Sequence, residues 1–329
     1  MTNPDTGAEQ IQHIDQATDI EVAALINKME VDVLVDMNGW SAGHRQQVLS
    51  TRPAPTQVVY WGYVGSVAPY IDHILSDAVV TPPEYQPYFN ERFAIIPGSY
   101  AVNAHQLSVD VSHPPRHTRA SLELPLGPLV ANFNVPTKSS LHAVSAWLAV
   151  VATVPNASLW LQEWNPSQRR NIERTAASLG LGGRVVWTPV LKAGYAHNWN
   201  DHAALADVYV DTIFSGAISQ AQDVLWEGTP LVTVAGDRMN SRTATSMLIA
   251  MGVAELVART TEEMVRVSRA MLTHPDAATV TDKLRAARHE HGRLFDTRAW
   301  VVRVEAVYRC LAQRTGRDHI IANPHTNKV

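Results

Sequence analysis

From Leu129 onward the chain alternates short β-branched runs with longer amphipathic ones, and this alternation constrains its fold more than any other feature. Apolar runs with period 2 or none read as Leu129 to Phe133, Ser158 to Gln162, Arg184 to Pro189, Asp207 to Asp211 and Pro230 to Ala235. Helical periodicity fills the gaps: Ser140 to Val154, Ser167 to Leu179, a short piece near Asp201 to Leu205, and Gln220 to Glu227. Three further helices are expected to begin near Asn240, Thr261 and Thr297. Strands separated by helices build a parallel sheet covered on both faces, so the fold class is α/β. Five such strands are what a complete Rossmann-like unit looks like from sequence.

The first third is thinner. Val31 to Met37 and Phe93 to Ile96 read as buried strands, Gln57 to Ser66 as a strand running into a glycine turn, and Ile20 to Met29 as a helix. From Ala101 to Pro128 the chain is rich in His, Pro and Ser without a period, which reads as a linker or surface excursion. At roughly 150 residues per domain, 329 residues allow about two. The division expected is residues 1–115, a thinner N-terminal lobe, then a linker over 116–128, then a Rossmann-like lobe over 129–329.

Composition narrows the function. With 46% apolar residues and only 18% charged the chain can bury a core, and a formal charge of -4 with no basic run longer than Arg169-Arg170 argues against nucleic acid as a partner. The single cysteine, Cys310, has Val307, Tyr308 and Leu311 as neighbours and reads as a buried core thiol, so nothing requires an oxidising compartment. Met1 to Gln10 lacks the apolar core of a signal peptide, and no apolar run approaches the roughly 20 residues that span a bilayer. An intracellular protein without a membrane partner is expected, in the cytoplasm or also the nucleus. There is no internal repeat of 20 to 50 residues.

In an open parallel sheet, ligands bind beyond the C-terminal strand ends, where loops lead into helix N-termini with unpaired N–H groups. Two such points stand out. In Asn132-Phe133-Asn134-Val135-Pro136-Thr137-Lys138 a lysine at a helix start opposes the macrodipole, which makes sense if an anion lies between Lys138 and the helix end; a solvated lysine is the alternative. In Asp211 to Gln220 a small-residue loop precedes a helix that Ser219 can cap. Asp223 has a carboxylate suited to a ribose diol, or serves simply as an acid favouring the helix dipole. Competing motifs fail. Gly180-Leu181-Gly182-Gly183 follows a helix and precedes a strand, the reverse of the dinucleotide order, and reads as a helix C-cap and turn. GxxxxGK[ST], HExxH and GxSxG are absent, and His289-Glu290-His291 has the wrong spacing for two ligands on one helical face.

Several phrases, in order, resemble the catalytic region of the protein O-linked N-acetylglucosamine transferases, a family that includes the plant SPINDLY proteins. They are Val35-Asp36-Met37-Asn38-Gly39-Trp40, Arg52 to Gln57, Trp61-Gly62-Tyr63-Val64-Gly65, Ile71-Asp72 to Asp77, Asn132-Phe133-Asn134 with Lys138, Val154-Pro155-Asn156 to Leu161, Leu205 to Val208, Asp211-Thr212, and Asp223 to Trp226 with Gly228-Thr229-Pro230. The resemblance implies a GT-B architecture of two Rossmann-like lobes. The N-terminal lobe is expected to be incomplete, because the chain starts 30 residues before Val31 and the family's histidine-bearing segment is not found there.

The resemblance also implies a reaction: N-acetylglucosamine moves from UDP-N-acetylglucosamine to a Ser or Thr hydroxyl of a protein, with no metal and no cofactor beyond the donor. In that reading Lys138 stabilises the departing diphosphate, helix N–H groups at Ser219 and Gln220 share the load, and Asp223 holds the ribose. Asn134 lies beside the donor, Gly62 lets backbone approach the sugar, Lys192 lines the uracil pocket, and His197 or His202 takes the place of the family's following histidine. Two positions depart from the family: its glutamine after Asn134 is Val135 here, and its His-Thr-Thr at the phosphate-binding helix reads Ile218-Ser219-Gln220. The alternatives are a catalytically weak or inactive UDP-sugar-binding remnant and a related GT-B enzyme using another donor such as GDP-fucose.

Overall fold

A computed structural model describes residues 11–62, 64–108, 117–190 and 202–313, with the backbone of 320–321. It contains two sheets, and every strand pairing in them is parallel. The first has the order β1 (Val33–Asp36), β2 (Thr56–Val59), β3 (His73–Ser76), β4 (Arg92–Ile95), β11 (Ile320–Ile321). The second has the order β10 (Val257–Ala258), β9 (Leu231–Val234), β8 (Val208–Val210), β5 (Leu129–Asn132), β6 (Ser158–Glu163), β7 (Val185–Pro189). The order reverses at β5, and a reversal of this kind opens a crevice at the C-terminal strand ends.

Ten α-helices accompany these strands among the described residues. They are α1 (Asp19–Lys28), α2 (Gln46–Ser50), α3 (His105–Ser108), α4 (Leu141–Thr153), α5 (Pro166–Ser178), α6 (Ser219–Trp226), α7 (Thr243–Ala250), α8 (Thr261–Thr273), α9 (Ala277–Ala287) and α10 (Thr297–Gln313). Local chemistry sets their limits. Thr18 and Glu21 form a capping box at α1, while Ser140, Asn165 and Thr260 accept the N–H groups of Ala143, Gln168 and Glu263 at α4, α5 and α8. The turn after α5 closes as expected, with Gly180 and Gly183 at positive φ and the Leu181 N–H donating to the Ala176 carbonyl at 2.9 Å. Helix α4 buries Ala143, Val144, Ala146, Trp147, Leu148, Val150 and Val151, a face wider than half its circumference packed between the sheet and α8, while Leu141, His142, Ser145, Ala152 and Thr153 stay exposed.

The five strands expected from 129 onward appear as β5 to β9, each trimmed by a residue or so at the ends. Other readings need correction. The piece near Asp201 to Leu205 is a single 3-10 turn, Ala203–Leu205. The 101–128 stretch is not a free excursion: Ala101 and Leu124 are buried, α3 forms within it, and residues 102–105 bond to the second lobe. Cys310 is half-buried on α10 rather than enclosed. Helix α10 faces the first sheet, with Val304, Val307 and Leu311 buried along one stripe, and β11 then pairs with β4.

The C-terminal ends of β3 and β4 meet the elements that leave β8 and β9. Asp77, just past β3, accepts the N–H groups of Val79, Val80 and Tyr100 and the Ser246 hydroxyl of α7 at 2.6 Å. Ser246 also lies 2.8 Å from the Ser99 hydroxyl, and Arg242 donates to the Val79 carbonyl at 2.6 Å. The junction between the lobes is therefore polar, buried and specific.

Candidate donor-binding site

The site is built on the loop between β8 and α6. Asp211, at the strand end, is fully buried and works as the anchor. Its Oδ1 accepts the N–H groups of Thr212 at 2.7 Å and Ala217 at 2.9 Å, and its Oδ2 accepts the Thr233 hydroxyl at 2.9 Å. One carboxylate thus fixes both ends of the loop. Gly216 is a glycine because an added Cβ would lie 3.1 Å from Asp211 Oδ2 and 3.3 Å from Thr243 Oγ1.

Lys138 reaches this loop from the neighbouring strand connection. It ends a 3-10 turn, Pro136–Lys138, that follows β5, and its Nζ donates to the Gly216 carbonyl at 2.8 Å. The lysine is consequently not in the first turn of α4, which begins at Leu141 behind its Ser140 cap; its charge is directed to the start of α6 instead. Burial pulls the Lys138 ammonium below its ordinary value and pushes the Asp211 carboxyl above its own, and the attraction between them opposes both shifts. An ammonium has three hydrogens, so two remain after Gly216 is satisfied.

Helix α6 supplies the other positive element. Its first helical bond runs from Gln222 N to the Ile218 carbonyl, which leaves the N–H groups of Ser219, Gln220 and Ala221 without helical acceptors. Ser219 was expected to cap this helix and does not. Because the bonds to Asp211 and Thr243 draw Ala217 in, the helix starts one residue earlier than expected, Ile218 takes the cap position without a side-chain bond, and Ser219 becomes the first helical residue. Gln220 lies within the helix, its Oε1 accepting the Tyr209 hydroxyl at 3.3 Å.

The remaining expected residues fall in different places. Asn134 is buried, and its amide nitrogen donates to the Tyr209 hydroxyl at 3.0 Å with Asp211 Oδ1 at 3.5 Å, so it braces the β5 and β8 ends against each other. Asp223 sits on α6 with Oδ1 2.8 Å from His105 Nε2. His202, one of the two candidates for the family's following histidine, is buried, its ring edge-on to Phe133 at 4.7 Å, because an imidazole fills the space between Phe133 and Trp160. Gly62 also has a different physical reason. A Cβ there would fall on the Met37 carbonyl, so the glycine permits two backbone segments at the ends of β1 and β2 to touch. Lys192 and His197 lie outside the described residues.

Sequence reasoning missed Asp211 as the organiser and His105 altogether. A buried acid at a strand end followed by small residues was a usable signal for the first. Nothing marked the second, whose partner is 118 positions away. A neighbouring cavity of about 380 Å³ between α4 and α5, lined by Pro136, Leu141, Asn165 and Gln168 among others, does not include Lys138. Among the described residues no group of three His, Cys, Asp or Glu side chains is placed to hold a metal ion.

Comparison with known proteins identifies the family. The model of glycosyl transferase family 41 matches residues 7–113 and 112–304. A probable UDP-N-acetylglucosamine--peptide N-acetylglucosaminyltransferase SEC of Arabidopsis thaliana is 30% identical over 309 residues, covering 92% of this chain and 31% of that protein. The UDP-N-acetylglucosamine--peptide N-acetylglucosaminyltransferase of Caenorhabditis elegans is 24% identical, with 90% of this chain and 35% of that one covered. The chain thus spans about a third of the length of the curated relatives it matches. Among solved structures, an O-GlcNAc transferase of Thermobaculum terrenum superposes with a TM-score of 0.78 at 23% identity, covering 93% of this chain and 57% of that one. With its two parallel sheets and this structural match the chain has a GT-B fold, and it belongs to glycosyl transferase family 41.

Proposed function

We propose that this chain carries the donor site of a protein O-linked N-acetylglucosaminyltransferase, which moves N-acetylglucosamine from UDP-N-acetylglucosamine to a Ser or Thr hydroxyl of an intracellular acceptor protein. The names of the relatives support the reaction, and one observation carries the assignment of the site: Lys138 Nζ bonded to Gly216 O at the start of α6. In the transfer the acceptor hydroxyl oxygen bonds to the anomeric carbon and gives up its proton, while the bond from that carbon to the diphosphate breaks, and negative charge grows on the departing UDP. Lys138 and the N–H groups of Ser219, Gln220 and Ala221 face that charge from preorganised positions, so they need little rearrangement as it develops. Asp223, a turn further along α6, accepts from the ribose hydroxyls. Asn134 and Asp211 hold the loops in register, and the reading needs no metal ion.

A second reading, that of a nucleotide-sugar binder without appreciable transfer, is favoured by one detail. Ile218 holds the α6 cap position and offers no side-chain hydrogen bond. Incubating the chain with a mixed peptide pool and either radiolabelled UDP-N-acetylglucosamine or radiolabelled GDP-fucose separates these readings. Label transferred from the UDP-sugar supports the first; UDP binding without transfer supports the second; transfer from GDP-fucose alone would replace the donor.

A further inference from the structure

The segment after β4 crosses to the second lobe and is fastened there at several points. The Gln222 amide donates to the Val102 carbonyl at 3.0 Å, the Asn103 amide to the Leu294 carbonyl at 2.9 Å, and the Thr297 hydroxyl to the Asn103 carbonyl at 2.7 Å. Two residues on, His105 Nε2 meets Asp223 Oδ1 at 2.8 Å, with the two side chains only 13% and 18% exposed. The imidazole is wedged between Trp226, at 5.5 Å between ring centroids, and Phe295, at 5.4 Å. Those two rings are themselves packed edge to face at 5.0 Å. The ring is therefore held by packing, and its Nε2 is aimed at one oxygen of one carboxylate.

A carboxylate only accepts, so Nε2 carries the hydrogen of this bond. The bond uses one lone pair of Oδ1 and leaves the rest of the carboxylate's acceptor capacity to other donors. It also removes rotational freedom from a side chain that would otherwise have to be ordered when a ligand arrives, and ordering of that kind opposes binding. We propose that His105 is a positioning residue for the donor nucleotide: from the first lobe it fixes the Asp223 carboxylate in the orientation that accepts both hydroxyls of the ribose diol. The inference rests on the reading of Asp223 as the ribose contact, and it adds that the ribose site is assembled from both lobes.

The test is a calorimetric titration of the full chain with UDP and with 2′,3′-dideoxy-UDP, which lacks the diol. His105→Ala is expected to weaken UDP about tenfold, the worth of one hydrogen bond to a charged group, and to leave the dideoxy nucleotide unchanged. His105→Gln, whose amide N–H can reach the same oxygen, should recover most of the loss. His105→Phe keeps the packing against Trp226 and Phe295 without the donor, so it should behave like the alanine variant and carries the test if that variant does not fold. Equal weakening of both nucleotides by the phenylalanine variant, or no weakening of either, would overturn the proposal. Asp223→Asn separates the two readings. If it leaves UDP affinity intact, the ribose assignment fails and the positioning role falls with it; if it weakens UDP while His105→Phe does not, only the positioning role falls.

Discussion

The site depends on single atoms placed by the backbone as much as on charged groups. Asp211 determines the shape of the loop that Lys138 touches, yet it is closed off from solvent and its oxygens are used within the protein. Its residue type was visible in the sequence, but its role was not, because the donors that define it, Ala217 N and Thr233 Oγ1, reach it only through the folded sheet. Lys138 was legible since it stands a few residues past the end of β5, and Asp223 since it stands one turn into the helix that follows the β8 loop, both where an α/β sheet presents its ligands. Gly62 makes the opposite point. Its position stood out, while the reason for a glycine is contact with the Met37 carbonyl. Gly62→Ala forces those backbones apart and should cost about 1–3 kcal/mol, in the range of overpacked sites, measurable as a lower urea midpoint with an unchanged slope.

At the level of elements, apolar period and cap chemistry together made β5 to β9 and α4 to α8 readable, and the same features now make them testable. Helix α4 carries Trp147, whose indole N–H donates to the Asp211 carbonyl at 3.0 Å, so the helix supports the site loop directly. Its start depends on the Ser140 hydroxyl accepting the Ala143 N–H at 3.2 Å. Ser140→Ala should cost about 1 kcal/mol of stability by denaturant unfolding, while Ser140→Asp should hold or raise it by adding an acid at the positive end of the helix. Strand β3 stayed hidden outside the family phrase because its four residues, His73 to Ser76, carry polar side chains at both ends. Two-residue strands such as β10 and β11 have no period at all, and only tertiary pairing defines them.

For the whole molecule, what sequence did not convey is how the lobes meet. The junction uses Asp77, Ser99, Ser246 and Arg242, polar residues whose partners lie 147 to 169 positions away, so no local pattern announces them. Burial raises the Asp77 carboxyl above its ordinary value, although four donors oppose the shift. The folded chain therefore holds a proton at Asp77 to higher pH than the unfolded chain does. That contribution to stability is full below the ordinary aspartate range and is lost as pH rises through the raised folded value. In urea titrations from pH 4 upward, wild type should lose stability relative to Asp77→Asn as pH increases; a constant difference would contradict this account of the junction. In the proposed function, Lys138 and the start of α6 hold a nucleotide diphosphate between these lobes. Calorimetric titration of UDP into the wild-type chain and into Lys138→Ala tests it most directly. One UDP should bind per chain, and the variant should bind at least about tenfold more weakly, as loss of a charge-assisted hydrogen bond requires; no UDP binding by the wild type, or equal affinity in the two proteins, would contradict it.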